Sequence, residues 1–117
     1  MSKFVLRPVS TGYKFDLTAT NGQVIATSEV YETEAACRKG MRSVCASAQK
    51  AKLADLTGEG KLPTNPRFEL FLDKAGAYRF RLRARNGQVI AVSEDYTTRE
   101  ACENGMESVR KNAAEEM

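Results

Sequence analysis

Alternating apolar and polar residues predict the same strand twice along this chain. Residues 13–20 place Tyr, Phe, Leu and Ala on one side and Lys, Asp, Thr and Thr on the other. Residues 78–85 repeat the apolar set opposite four arginines. A period of two is typical of a sheet with one covered and one solvent-exposed face. A short apolar segment precedes each alternating strand, at Phe4–Pro8 and Phe68–Leu72, and predicts a first strand.

An identical six-residue segment, Asn-Gly-Gln-Val-Ile-Ala, follows each alternating strand, at residues 21–26 and 86–91. Asn-Gly pairs are typical of hairpin turns, because Asn tolerates positive φ and Gly allows it freely. A two-residue turn would direct Val24 and Ala26 to the covered side and Ile25 to the open side. A three-residue turn with a glycine bulge would reverse this. We favour the bulged turn because it buries the larger isoleucine.

Helical periodicity follows the third strand of each unit, which we place at residues 23–28 and 88–93. Thr33 and Thr98 are positioned to act as N-caps. The apolar stripes that follow have helical spacing and consist of Cys37, Gly40, Met41, Val44 and Ala48, and of Cys102, Gly105, Met106 and Val109. A glycine inside a helix costs about 1 kcal/mol relative to alanine. Gly40 and Gly105 therefore predict a close approach to the sheet or to the partner helix.

Residues 13–44 and 78–109 are identical at 20 of 32 positions, which establishes an internal repeat. The predicted fold class is α+β, with two tandem β-β-β-α repeats that share one antiparallel sheet and pack both helices on one face. We predict a single domain over residues 1–117, with repeat one at 1–57, a linker rich in Gly and Pro at 58–66 and repeat two at 67–117. Residues 51–57 fit either a helix tail or an additional strand. Residues 110–117 are polar and are expected to fray.

The composition narrows the functional classes. Of the 117 residues, 42% are apolar and 28% are charged, which is typical of a globular domain. The apolar stretch in the first residues is too short for the core of a signal peptide, and no apolar run is long enough to span a membrane. We therefore expect a soluble, cytoplasmic protein. The absence of histidine removes the commonest general base and metal ligand, so we predict no enzyme activity, no cofactor and no metal site.

Three cysteines, Cys37, Cys45 and Cys102, lack the spacing of a disulfide framework or a zinc site. We interpret them as small buried apolar side chains in a reducing compartment. A redox role would require a lowered thiol pKa.

Four arginines on the second alternating strand are the sharpest candidates for binding a partner. Arg79, Arg81, Arg83 and Arg85 would rise from one sheet face at steps of about 6.6 Å, a spacing compatible with a phosphate backbone. The aromatic residues lie on the opposite face, however, so the stacking platform of sheet-type RNA binders is missing. Long charged side chains also cover open sheet faces for solubility. With a net charge of only +3, we favour a solvated face over nucleic-acid binding.

A polar motif, Ser-Glu-x-Tyr, is repeated where the third strand leads into the helix. Its residues are Ser28, Glu29 and Tyr31, and Ser93, Glu94 and Tyr96. In a ligand site the glutamates would be acceptors and the tyrosines lids. In a structural role, Ser and Glu would bind turn or helix-start amides while Tyr filled the corner between sheet and helix. We favour the structural role, because no base or phosphate-binding loop lies nearby.

The helix charges reverse sign between the repeats. Glu34, Arg38 and Arg42 correspond to Arg99, Glu103 and Glu107. If the helices lie side by side, opposite charges would meet across them and influence the choice of partner helix. We predict that this reversal favours pairing within one chain, and hence a monomer.

These patterns resemble the YegP-like family, small proteins built from one or two copies of a short repeat of unknown function. The matching residues are Phe15, Leu17, Ala19, Asn21-Gly22, Ile25, Ser28-Glu29, Tyr31, Gly40 and Ser43-Val44, with Phe80, Leu82, Ala84, Asn86-Gly87, Ile90, Ser93-Glu94, Tyr96, Gly105 and Ser108-Val109 in the second copy. The resemblance implies units that exchange a last strand, which would be Ala51–Thr57 in repeat one. Repeat two lacks an apolar segment after its helix. The family implies no activity, cofactor or catalytic residue.

We therefore predict a small non-enzymatic interaction module that presents a sheet face or edge to a macromolecular partner, for which we consider an unidentified protein and exclude a membrane. The alternative is a weak nucleic-acid-associated protein that uses the strand at residues 79–85.

Overall fold

The computed structural model describes residues 3–116 as one seven-stranded mixed sheet and two helices. In chain order the elements are β1 (Phe4–Val9), β2 (Gly12–Thr18), β3 (Val24–Thr27), α1 (Glu34–Lys50), β4 (Lys52–Asp55), β5 (Arg67–Leu72), β6 (Tyr78–Arg83), β7 (Val89–Val92) and α2 (Arg99–Ala114). The predicted α+β class is confirmed. The predicted domain limits at residues 1 and 117 lie outside the described residues. Within these residues, neither helix is long and apolar enough to cross a membrane.

The two repeats meet in the middle of the sheet, which has the order β1-β2-β3-β7-β6-β5-β4. β3 pairs with β7 in antiparallel orientation, with Thr27 opposite Val92. These two residues occupy equivalent positions in the two repeats. Equivalent residues face each other when a twofold axis passes between them, so an approximate twofold rotation relates the repeats.

The segment after α1 forms a strand that pairs with the other repeat. β4 lies parallel to β5, with Ala54 opposite Glu69. Residues 51–57 therefore contain a strand and not a helix tail, and the prediction of a wholly antiparallel sheet is wrong at this edge. The physical reason is the connection: residues 56–66 lead the chain back to the same end of the sheet before β5 begins, as a parallel pair requires.

The last helix is longer than the polar sequence predicts. α2 extends to Ala114, and Asn112 and Ala113 are buried. Lys3, just before β1, donates to Asn112 Oδ1 over 2.6 Å and forms an ion pair with Glu115. The expected fraying from residue 110 is therefore wrong for the described residues, because tertiary contacts hold this polar end.

The β2–β3 hairpin turns through three residues with a glycine bulge, as we favoured. The Ala19 N–H donates to Gln23 O, and the Gly22 N–H donates to Ala19 O, both over 2.9 Å. Gly22, with φ 85°, adopts the left-handed conformation, whereas Asn21 does not. The Asn21 side chain instead accepts from the Gln23 N–H over 3.0 Å. The β6–β7 hairpin repeats these bonds.

A second irregularity lies inside β3. Leu17 pairs with Ala26 and Thr18 pairs with Val24, so Ile25 is an extra residue in the ladder. Ile25 is buried as predicted. Ala26, which the bulged turn alone would direct to the open side, is buried as well because the extra residue shifts the register.

The close approach predicted at the helix glycines is confirmed, but the neighbour is a tyrosine. Thr33 and Thr98 cap the two helices as expected, each accepting a backbone N–H over 3.1 Å. A Cβ atom at Gly40 would lie 2.3 Å from the Tyr31 hydroxyl, and one at Gly105 would lie 2.3 Å from that of Tyr96. Each tyrosine ring also stacks on a core phenylalanine, 6.2 Å between centroids. The ring therefore has little room to move away from the helix.

Replacing Gly105 with alanine should destabilise the protein by about 1–3 kcal/mol, because the methyl group overlaps the Tyr96 ring. This loss should exceed the gain in helix propensity of about 1 kcal/mol. Urea denaturation measures the change. Gly60→Ala is the control, since nothing lies near a Cβ there and its change should stay within about 0.5 kcal/mol. A Gly105→Ala protein more stable than the wild type would contradict the packing argument.

Candidate functional site

Three of the candidate arginines, Arg79, Arg81 and Arg83, lie on the open face of β6, beside a carboxylate on β5. The fourth, Arg85, follows the end of β6. The antiparallel register places Glu69 opposite Arg81 and Arg67 opposite Arg83. Glu69 is only 1% exposed, although it lies on the face that the helices leave uncovered. A charge removed from water to this extent requires close counter-charges.

Three arginines surround Glu69. Arg67 Nη2 lies 2.6 Å from Oε2, Arg83 Nε lies 2.8 Å from Oε1, and Arg81 Nε also contacts Oε1. Burial alone would raise the pKa of Glu69, but its contacts with Arg81, Arg67 and Arg83 outweigh it and hold the pKa below its ordinary value. Arg81 also covers the Phe71 ring, 4.6 Å from its centroid. The result is a buried carboxylate closed over by guanidinium groups.

The four candidate arginines have three different environments. Arg81 and Arg83 neutralise Glu69, and Arg83 Nη1 also donates to Gly87 O over 2.7 Å. Arg79 Nη2 donates to Ser93 O over 2.9 Å. Arg85 is exposed and lines a surface pocket of 440 Å³ together with Lys50 and Pro66. Glu69 removes one unit of positive charge from this surface, and the bonds to carbonyl oxygens hold Arg79 and Arg83 without changing their charge. A binding role for the strand stays a prediction.

Repeat one has a different arrangement on the same face. Asp16 occupies the position of Arg81, and Val5, 47% exposed, occupies the position of Glu69. Arg7 Nε lies 3.0 Å from Asp16 Oδ2, and the Thr27 hydroxyl donates to Asp16. Burial raises the pKa of Asp16, but the bonds from Arg7 and Thr27 lower it below its ordinary value. The arginine-rich surface is therefore not duplicated with the fold.

The Ser-Glu-x-Tyr motif closes the end of each hairpin. Ser28 Oγ accepts the Phe15 N–H over 2.9 Å and donates to Glu29 O over 2.7 Å. Tyr31 exchanges two backbone hydrogen bonds of 2.8 Å with Tyr13. The second copy repeats these contacts with Ser93, Glu94 and Tyr96. The serine and the tyrosine of each motif therefore bind the backbone of the neighbouring strand, as the structural role requires.

The glutamates of the motif do not make the amide contacts that the structural interpretation assigned to them. Glu29 and Glu94 are exposed, and between residues 3 and 116 neither carboxylate has a hydrogen-bond partner. The threonine N-caps bind the helix-start amides instead. Burial raises the pKa of Tyr31 and of Tyr96. The structural role that we favoured for the motif as a whole stays a prediction.

The reversed helix charges do not meet across the two helices. Arg38 pairs with Glu34 on α1 over 3.2 Å, and Glu107 pairs with Arg110 on α2. Arg99 Nη1 instead reaches Asp55 Oδ2 on β4 over 2.6 Å. Across residues 3–116, no ion pair joins these charges from one helix to the other, so the prediction that they pair the helices is wrong. Arg38, Glu107 and Arg99 have their partners on their own helix or on β4 instead.

Arg110 makes the polar contact between the helices, and the sequence patterns did not indicate it. Its Nε donates to Ala48 O over 3.0 Å and its Nη2 to Ala51 O over 2.8 Å. Both carbonyls lie at the carboxyl end of α1, where a cation is favourable. Cys45 occupies the equivalent position in repeat one, so this contact occurs once.

Glu69 could have been found from the sequence. If the short turn at residues 73–77 sets the hairpin register, the one acidic residue in β5 falls opposite an arginine on the open face. Arg99 and Arg110 left no such signal, since their partners are 44 and 62 residues away in the chain.

A family model described as a domain of unknown function, DUF1508, matches the chain twice, at residues 10–55 and 73–116. The chain belongs to the DUF1508 family. The resemblance to YegP-like proteins is thereby confirmed, and each of the two matches lies within one of the two sequence repeats.

Relatives of this DUF1508 protein occur in distant organisms. The UPF0339 protein of Photorhabdus laumondii is 40% identical over 102 residues, which cover 87% of this chain and 77% of the relative. YegP of Yersinia pestis is 35% identical over 100 residues, which cover 86% and 77%. A UPF0339 protein of Methanosarcina acetivorans is 60% identical over 47 residues, 40% of this chain and 81% of the relative. This last match is about one repeat long.

Two solution NMR structures are similar to this fold. YegP of E. coli, a protein of unknown function, has a TM-score of 0.77 at 30% identity and covers 95% of this chain and 84% of its own. The UPF0339 protein of Shewanella oneidensis has a TM-score of 0.74 at 31% identity, with coverage of 94% and 82%. Membership of the DUF1508 family thus brings a fold, but neither an activity nor an indication of nucleic-acid binding.

The three cysteines of this DUF1508 protein are free and buried. Burial raises the pKa of the Cys37 and Cys45 thiols and raises that of Cys102 to about 11. In the part of the chain that the structure describes, no group of three His, Cys, Asp or Glu residues is placed to hold a metal ion. The thiols are therefore protonated at neutral pH and poor nucleophiles.

Replacing Glu69 with glutamine should lower the free energy of unfolding at pH 7 by about 3 kcal/mol, because a buried carboxylate is lost from between three guanidinium groups. Urea denaturation measures the loss. Asp16→Asn is the matched control in repeat one, where the Arg7 side chain is 44% exposed, and its loss should be much smaller. Equal losses in the two variants would contradict a special role for Glu69.

The same variant should change the response to acid. The pKa of Glu69 is lower in the folded than in the unfolded chain, so its contribution is complete above the unfolded value of about 4.3. That contribution disappears as the pH falls through the folded value. Between about pH 5 and pH 2 the wild type should therefore lose more stability than Glu69→Gln. Parallel pH profiles would show that Glu69 is not responsible.

Proposed function

We propose that this protein is a small non-enzymatic interaction module that presents one edge of its sheet to a protein partner. The supporting observation is the outer side of β1. The Thr18 N–H donates to Lys3 O over 2.8 Å, so residue 3 forms a hydrogen-bonded pair with β2. Bonding alternates along an antiparallel pair, so the next such positions are Val5 and Arg7. The N–H and C=O groups of Phe4 and Leu6 therefore point away from β2.

The hydrogen bonds of Phe15 support this assignment. Phe15 lies opposite Leu6, yet its N–H donates to Ser28 Oγ and its C=O accepts the Ser28 N–H, both over 2.9 Å. Its polar groups thus point towards β3 and not towards β1. Across residues 3–116, no backbone group pairs with the outer side of β1.

In repeat two the equivalent edge, the outer side of β5, is occupied by β4. Leu70, the equivalent of Leu6, accepts the Leu56 N–H over 2.9 Å, just beyond β4. Within residues 3–116, the fold therefore contains two equivalent strands, β5 covered by β4 on its outer side and β1 uncovered. An open edge is a template for strand addition by a partner. Pro8 lacks an N–H, which restricts the available donors to the first half of β1.

The absence of catalytic groups in suitable states supports a non-enzymatic role. The chain has no histidine, and its three thiols are buried with raised pKa values. The carboxylates of Glu69 and Asp16 are paired with arginines, which lowers their pKa values and makes them weak bases. We also propose that the protein is a cytoplasmic monomer, since free buried thiols suit a reducing compartment.

Affinity capture with edge variants tests the proposal. Leu6→Pro removes the outward N–H and leaves the bonds between β1 and β2, whereas Leu6→Ala removes similar packing and keeps the N–H. In nuclease-treated lysate of the native host, the wild type and Leu6→Ala should retain a common set of proteins that Leu6→Pro loses. Circular dichroism must show that both variants unfold cooperatively.

Two outcomes would overturn the edge proposal. Retention of the same proteins by all three baits would show that partners bind elsewhere. Retention that disappears with nuclease, and also with Arg79→Ala combined with Arg85→Ala, would favour the nucleic-acid alternative. As a second measurement, the Leu6 amide should exchange more slowly in the complex, while that of Leu70, already next to β4, should not change.

A further inference from the structure

We infer that the β1 edge selects an extended, parallel segment that has a basic side chain at the position facing Glu34. This inference rests on the proposed edge function and specifies the chemistry of its partner. Its basis is the occupied edge, where β4 shows which strand this fold accepts and how the adjacent helix recognises it.

The occupied edge defines the register of an added strand. β4 runs parallel to β5, with Leu53 opposite Phe68 and Asp55 opposite Leu70. The equivalents of Phe68 and Leu70 in repeat one are Phe4 and Leu6. A strand added to β1 in this register would therefore place its second and fourth residues on the helix side, beside Phe4 and Leu6.

A charge at the start of α2 recognises the fourth residue of β4. Arg99 Nη1 lies 2.6 Å from Asp55 Oδ2, and its Nη2 donates to Thr57 Oγ1 over 2.6 Å. The Arg99 guanidinium also lies over the Tyr78 ring, 5.9 Å from the centroid. These contacts hold the end of the added strand against the helix, and they lower the pKa of Asp55 below its ordinary value, with the Thr57 hydroxyl as the largest cause.

The open edge has the opposite charge at this position. Glu34 is the equivalent of Arg99 and begins α1, while Tyr13 is the equivalent of Tyr78. Glu34 is paired with Arg38 on its own helix, with the two side chains 53% and 57% exposed, so the pair is weak and can exchange. A lysine or arginine in the fourth position of an added strand would meet the carboxylate of Glu34 and the face of Tyr13, both favourable for a cation.

The reversed charge also disfavours a second copy of this chain as the occupant. If β4 of another copy were added to β1, its Asp55 would approach Glu34, and two carboxylates would repel each other. The sign reversal that does not pair the helices thus distinguishes the two edges. It matches one edge to the chain's own β4 and the other to a basic segment.

Peptide titration tests this charge rule. The probes are the acetylated and amidated peptide of residues 51–58 and the same peptide with Asp55→Lys. In heteronuclear NMR of the full chain, the lysine peptide should shift the amides of residues 4–9 and bind about five-fold more tightly than the aspartate peptide. The net charge of +3 opposes this preference overall, so it would arise from the local carboxylate.

Two charge variants control the experiment. Glu34→Arg, an exposed replacement, should reverse the preference between the peptides. Glu59→Arg introduces the same charge change in the linker and should leave it unchanged. Leu6→Pro should abolish the shifts of both peptides.

The outcomes separate this inference from the proposed function. Equal binding of both peptides at residues 4–9 would overturn the charge rule and leave the edge function intact. Shifts confined to residues 67–72, or no shifts at millimolar peptide, would overturn the inferred occupant. The capture experiment with Leu6→Pro then decides the edge function separately.

Discussion

The antiparallel contact between β3 and β7 joins the two repeats into one sheet, and the positions of both sheet edges follow from it. Thr27 faces Val92, its own equivalent, so the repeats extend outwards from the centre in opposite directions. Each repeat therefore places its first strand, β1 or β5, towards an edge. β4 then covers β5, and within residues 3–116 no strand covers β1. The β1 edge is open because the two repeats are arranged symmetrically, whereas among the described residues a strand, β4, follows the helix of repeat one only.

Where the repeats are identical they make the same structural contacts, and where they differ they make different polar ones. Both copies use a glycine bulge, a threonine N-cap and a tyrosine packed on a helix glycine. Three sets of contacts occur once within residues 3–116: Glu69 with its arginines, Arg110 with the end of α1, and Arg99 with β4. All three lie in or against the half of the sheet that β4 completes. The residues that occur once thus stabilise the edge that β4 covers.

The sequence predicted the three strands and the helix of each repeat and their hairpin turns, but it predicted the polar contacts only in part. Period-two alternation, the Asn-Gly segment and Thr33 act within a few residues, so local pattern was sufficient for them. The parallel direction of β4 depended on the path of residues 56–66, which no periodicity describes. The arginine row was visible at once, whereas its meaning depended on Glu69, one strand away. A row of arginines in the sequence predicts a basic surface. Whether those arginines are available to bind a partner depends on the carboxylate beside them in the folded sheet.

The sequence by itself determined the duplicated α+β unit, its family and the residues that make each hairpin and helix. Those features depend on residues that are close together in the chain. They also occur in both repeats, so the pattern in one repeat supports the interpretation of the other. Only the tertiary structure decided that Arg81 and Arg83 neutralise a buried carboxylate, that Arg99 contacts β4, and that no strand within residues 3–116 covers β1. These contacts join residues distant in the chain, and their partners depend on which strands become neighbours. The sequence shows which charged side chains the protein has, but the folded sheet determines which of them are free to contact a partner.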